Sequence, residues 1–244
     1  MKEIILTQEQ INNLPMLSKD SYGCYGKCYM YGNDVLKVFK RKITPYEYKN
    51  IEKNLKRESN IIMYPTQKMF LEDNTLSLKG YLCNKAPGTD LCSLENFIAN
   101  GKEDISFESF LSAYYDKFLP ELKKESVILS DIKLIHIFFN ECLYLIDTDW
   151  YEEKPNYMLE DQKNMANIKL LNAYLSNFIF KFISLDSCND LFSKLCLENK
   201  ASDNYIAKLL AEIKRVTSYE VSSLAELFKY TYKDDEKGKN AIII

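Results

Sequence analysis

Residues 129–150, LSDIKLIHIFFNECLYLIDTDW, constrain this chain more than any other stretch. Two short apolar runs, IHIFF and LYLID, flank Asn140 and Glu141 and predict a β-hairpin. Asp131 and the only histidine, His136, lead into that hairpin, and Asp147 and Asp149 close it. An unpaired carboxylate is costly to bury. Acids at both ends of so apolar a hairpin therefore need partners.

The composition narrows what those partners can be. With 244 residues, 46% of them apolar, the chain can fill one large domain or two small lobes. A net charge of −3 gives no electrostatic case for nucleic acid. No apolar run approaches the ~20 residues of a membrane span. The N-terminal MKEIILTQEQINNL lacks the cationic start and long apolar core of a signal peptide, so the expected location is cytoplasmic, with no membrane partner. The seven cysteines, at 24, 28, 83, 92, 142, 188 and 196, form no C-x-x-C pair. They read as reduced thiols, not as a structural zinc site.

Hydrophobic patterning divides the chain in two. CYMYGNDVLKVFKR predicts strands near 25–31 and 35–40 around a Gly32-Asn33-Asp34 turn. Pro45 opens a helix that puts Tyr48, Ile51 and Leu55 on one face. Further strands follow to about residue 84, with a hairpin turn around Asp73-Asn74. Beyond 90, helical periodicity dominates in FESFLSAYYDKFLPELKKES, where Pro120 is expected to bend or end the helix, and in NIKLLNAYLSNFIFKFI and NYIAKLLAEIKRV. The tail KDDEKGKNAIII reads as loose. The expected division is a β-rich part over 1–84, a connector at 85–90 and a helical part over 91–244 that holds the hairpin.

A second stretch, SYGCYGKCYMYGNDVLKVFK, carries chemistry of its own. Gly23 and Gly26 precede a strand, where glycines let backbone amides approach an anion. Strand alternation puts Val35, Lys37 and Phe39 on one face and Leu36 and Val38 on the other. A lysine in such apolar company calls for an anionic partner.

Taken in order, these residues resemble the signature set of the protein kinases. Gly23 and Gly26 match two glycines of the Gly-rich loop, and Ser21 stands at the first. Lys37 matches the strand lysine, and KGYLCNKAPGTDL resembles the hinge region. In SDIKLIHIFF, Asp131 matches the catalytic aspartate and Lys133 the lysine that often follows it. In LIDTD, Asp147 matches the metal-binding aspartate. The resemblance covers residues 18 to 150. It implies an α+β, protein kinase-like bilobal fold, with a small antiparallel sheet in the N-lobe and a larger, mainly helical C-lobe. It also implies ATP and Mg²⁺ as cofactors.

In that scheme Lys37 neutralises phosphate and a helix glutamate holds it, Glu52 or Glu47, with Glu52 favoured. Asp147 takes the metal, and Asp131 orients or deprotonates a hydroxyl acceptor on a protein Ser/Thr or a small molecule. The chain departs from the pattern in places. Leu129 and Ser130 replace His-Arg, and His136 stands where an asparagine completes metal binding. DTD replaces Asp-Phe-Gly, which makes Asp149 a supplementary metal ligand and brings the chain near the small-molecule kinases. The implied activity is transfer of the γ-phosphate to a hydroxyl. The alternatives are a pseudokinase that binds nucleotide or protein with little transfer, and an unrelated α+β interaction protein.

Overall fold

The computed structural model describes residues 3–17, 25–73, 77–153, 159–182, 202–217 and 221–232. Ser21, Gly23, the Asn74 half of the expected turn, and Cys24, Cys188 and Cys196 lie outside the described residues, as does the tail from 233. The chain is α+β and separates into two compact units. One comprises Met1–Pro87 and Tyr144–Glu152; the other comprises Gly88–Leu143 and Glu153–Ile244. The sequence reading gave Tyr144–Glu152 to the helical part. Its membership of the first unit puts the DTD acids on the same body as Lys37.

The first unit is built on a five-stranded sheet. Its elements are β1 (Glu3–Leu6), α1 (Gln8–Asn12), β2 (Gly26–Tyr31), β3 (Asp34–Phe39), α2 (Pro45–Asn54), β4 (Pro65–Leu71) and β5 (Leu78–Asn84). The strand order is β1-β4-β5-β3-β2. The expectation of a purely antiparallel sheet needs correcting, because β1 pairs parallel with β4, Glu3 beside Lys68. Gly32, at φ 64°, makes the β2–β3 turn. That is a left-handed conformation that glycine adopts without strain.

Residues 15–17 cover the outer edge of β2 through Leu17 N–H to the Cys28 carbonyl (3.1 Å) and Met30 N–H to the Pro15 carbonyl (2.8 Å). Thr44 caps α2, Pro45 starts it, and Glu47 closes a capping box on Thr44.

The two faces of the sheet carry separate cores, as strand alternation requires. Leu36 and Val38 pack with Tyr29, Met69 and Leu82 beneath Leu6 and Ile11. On the opposite face Phe39, Tyr81 and Ile51 of α2 form a smaller cluster. Residues 61–63 then take up the returning strand Leu143–Leu145, with Met63 N–H to the Leu145 carbonyl and Leu145 N–H to the Ile61 carbonyl, both 2.8 Å.

The second unit opens with β6 (Thr89–Asp90), which pairs antiparallel with Phe138 and Phe139. Asp90 caps α3 (Leu91–Ala99). Next come α4 (Phe107–Ser112), a π-helical turn (Ala113–Phe118) and α5 (Leu119–Lys124). Pro120 does not end this helix. The Leu119 N–H bonds five residues back to the Tyr114 carbonyl, so the turn before the proline is widened and the helix continues past it. The 21-residue helix α6 (Glu160–Phe180) and the helices Tyr205–Thr217 and Leu224–Tyr232 also belong to the unit. No helix among the described residues is long and apolar enough to cross a membrane.

Candidate functional site

One row of residues crosses the sheet of the first unit. Strand register aligns Cys28, Lys37, Tyr81, Lys68 and Glu3 on neighbouring strands. The row puts two lysines on a largely apolar face, and each must find an anion.

Lys37 finds two. Its ammonium donates to Asp147 and to Asp149 Oδ2, the latter at 2.5 Å. The lysine side chain is 11% exposed, Asp149 4% and Asp147 26%. Phe39 and Tyr81 flank the ammonium, with both ring centroids 5.8 Å away. Gly26 borders its stem: a Cβ there would lie 3.3 Å from Lys37 Cε and 3.0 Å from the Val38 carbonyl oxygen. Replacing Gly26 with alanine should therefore cost about 1 kcal/mol, within the usual range for overpacking, and displace the lysine. A chemical-denaturation midpoint measures that cost.

Local backbone aims the acids. Asp147 is left-handed, at φ 63° and ψ 55°, and a 3-10 turn over Thr148–Trp150 follows it. This pair of conformations turns residues two apart toward one ammonium.

Burial by itself would lower the Lys37 pKa. The Asp149 and Asp147 charges and their hydrogen bonds outweigh it, so the ammonium is held well above its ordinary range. Asp149 moves up. Burial is the main cause and Asp147 adds to it, against the opposing pull of Lys37. One ammonium thus bridges two carboxyl groups. The Asp149 Oδ1 atom is buried without a hydrogen-bond partner. Burial also raises the Cys28 thiol to about 11, so at neutral pH it is not a thiolate.

The second lysine of the row takes the glutamate expected at Lys37. Glu52 pairs with Lys68 at 2.5 Å, and Tyr48 also accepts from Lys68 at 3.0 Å. Glu47 binds Arg41 and its own helix cap. The assignment of Glu52 to Lys37 is thus corrected: β4 presents Lys68 to the helix, while the DTD acids take up Lys37.

In the second unit Asp131, Lys133 and His136 form a local group. Asp131 is exposed at φ 49°, with Lys133 Nζ 3.4 Å from its Oδ1. His136 Nδ1 lies 3.1 Å from the Asp131 carbonyl oxygen. Upstream, the buried Asn167 side chain accepts from Leu129 N–H and donates to the Val127 carbonyl, both at 2.9 Å, and so fixes the strand that leads to Asp131.

Among the described residues no three His, Cys, Asp or Glu side chains gather into a metal-binding group; Asp147 and Asp149 converge as a pair. Cys28, Cys83, Cys92 and Cys142 are free thiols. Sequence reasoning missed Tyr81 and Asn54. The KGYL register could have pointed to Tyr81, but nothing in the local pattern marks Asn54. No protein-family model matches the chain, and no curated protein matches it to a significant degree.

Proposed function

We propose that this protein is a cytoplasmic phosphotransferase of protein kinase-like, bilobal type that uses ATP and Mg²⁺ and carries the γ-phosphate to a hydroxyl of a protein or small molecule. One observation carries the reading: Lys37 meets Asp147 and Asp149, 110 and 112 residues away in sequence, in a largely buried cluster. Apolar residues of similar volume would often be as stable there. A chain that keeps such a cluster points to chemistry done by it.

The residues fit a hard cation. Both ligands are carboxylates and Asp147 is partly open; Tyr81 also hydrogen-bonds the Asp149 carboxyl group, whose Oδ1 is buried without a partner. Asp147 and Asp149 would hold Mg²⁺, whose chemistry there would be to neutralise phosphate charge. Lys37, released from one acid, would pair with phosphate. Gly26 leaves room beside its stem, and Asp131 would orient or deprotonate the acceptor hydroxyl.

Thermal unfolding tests this. At a hundredfold excess over Kd, ligand binding adds about 2.7 kcal/mol. For a chain of this size that is a Tm rise of roughly 5–10 °C. ATP with Mg²⁺ should give such a rise, and Asp147→Asn should abolish the Mg²⁺-dependent part. Asp131→Asn should keep the shift while transfer falls by about 10²–10⁴. Absence of any nucleotide response would sink the reading.

A second reading, a pseudokinase that binds nucleotide without transfer, is favoured by Leu129 and Ser130 before Asp131 and by His136 in place of an asparagine. A metal-independent shift with no phosphate release or transfer would select it.

A further inference from the structure

The inner face of α2 is unusual for a helix packed on a sheet. Its buried residues are Glu47, Asn50, Ile51 and Asn54, spaced as one helical face, and only one is apolar. Asn54 is 2% exposed and donates from Nδ2 to the Thr148 carbonyl oxygen at 3.0 Å. Thr148 stands between the two acids. The same carbonyl accepts the Tyr151 N–H at 3.1 Å, which closes the turn. The left-handed Asp147 comes just before it, a conformation that a non-glycine residue keeps only where its surroundings enforce it. At the other end of α2, the Tyr46 hydroxyl donates to Glu152 and its ring lies 6.4 Å from that of Trp150. The helix therefore holds residues 148–152 from both ends.

We propose that Asn54 is a positioning residue for the acid pair. Its amide fixes the Thr148 peptide and, through it, the directions of the Asp147 and Asp149 carboxylates. The inference rests on the phosphotransferase reading, in which that pair takes the divalent cation. Outer groups that orient metal ligands are typically worth about 10–100-fold in metal affinity.

Trp150 is the only tryptophan in the chain, so its fluorescence reports on this turn alone. The experiment is a Mn²⁺ titration followed by Trp150 quenching in the wild type, Asn54→Leu, which keeps the branched shape and removes the donor, and Asn54→Ala, which removes the donor without adding bulk. Amide exchange is measured alongside. Both variants should need at least about tenfold more Mn²⁺ for half-saturation. Exchange should quicken over 147–152 and stay unchanged over 34–39.

Two results would overturn the proposal and leave the phosphotransferase reading standing. One is a wild type that takes up Mn²⁺ with variants matching it. The other is exchange that quickens equally in both segments, which would make Asn54 a residue of the general fold. A wild type silent to both Mn²⁺ and ATP with Mg²⁺ would remove that reading and the proposal together.

Discussion

Lys37→Met should lower the unfolding free energy by about 3–5 kcal/mol, the usual cost of taking one partner from a buried ion pair. That amounts to a Tm fall of roughly 6–20 °C for a chain of this size. The methionine replaces the stem but leaves the buried Asp149 and Asp147 without the Lys37 ammonium between them.

The loss should depend on pH. Burial already holds the Asp149 pKa above its ordinary value with the lysine in place, and Lys37 is the main influence against it. An acid whose folded pKa exceeds its unfolded value binds more protons in the native state. Its contribution is present at low pH and is lost as pH rises through the folded value. Removing Lys37 raises that folded value further, so the deficit should be larger at pH 8 than at pH 5. Urea denaturation at both pH values measures this, and equal deficits would mean that the carboxylates are not what the lysine stabilises. Adding Asp147→Asn and Asp149→Asn to Lys37→Met should restore much of the loss, because the three side chains form one coupled unit.

That Lys37 and the DTD acids need partners was legible in the sequence, because a lysine in VLKVF and acids that end LYLID are each expensive to bury alone. That they partner one another was not, since the sequence assigned the lysine to a helix glutamate. Alternation on β3 foretold the split between Leu36 with Val38 and Phe39. The partner of Glu52 was not legible. Glu52 can reach any cation on the face that α2 covers, and only strand order decides that β4 offers Lys68.

Apolar periodicity picked Tyr48, Ile51 and Leu55 for the inner face of α2. Ile51 is fully buried, but Glu47, Asn50 and Asn54 accompany it. Glu47 and Asn54 are affordable inside because Arg41 and the Thr148 carbonyl, from outside the helix, meet them. The four-residue strand β1 was hidden for a different reason. EIIL is too short for its pattern to stand out, and its pairing with β4 crosses more than sixty residues of sequence.

Gly80→Ala should be nearly as damaging as the loss of Lys37, although residue 80 carries no chemistry. Gly80 lies in β5 opposite Val38 of β3 and Met69 of β4. A Cβ there would lie 2.1 Å from the Lys37 carbonyl oxygen and 3.0 Å from Met69 Cε. The methionine end can move, but the carbonyl belongs to the strand that carries Lys37. Accommodating one methyl group would thus mean parting β3 from β5 where the lysine is anchored. Overpacking of this kind costs about 1–3 kcal/mol and occasionally more, and a backbone clash this short belongs at the upper end. The damage should reach the site, since the carbonyl cannot shift without carrying the ammonium away from Asp147 and Asp149. Gly80→Ala should therefore lose part of the pH dependence of stability that the wild type draws from that cluster, whereas a remote core truncation of equal cost should keep it. Urea denaturation of the two variants across pH decides the matter, and a Gly80→Ala protein with wild-type stability would mean that the strands are not so closely apposed.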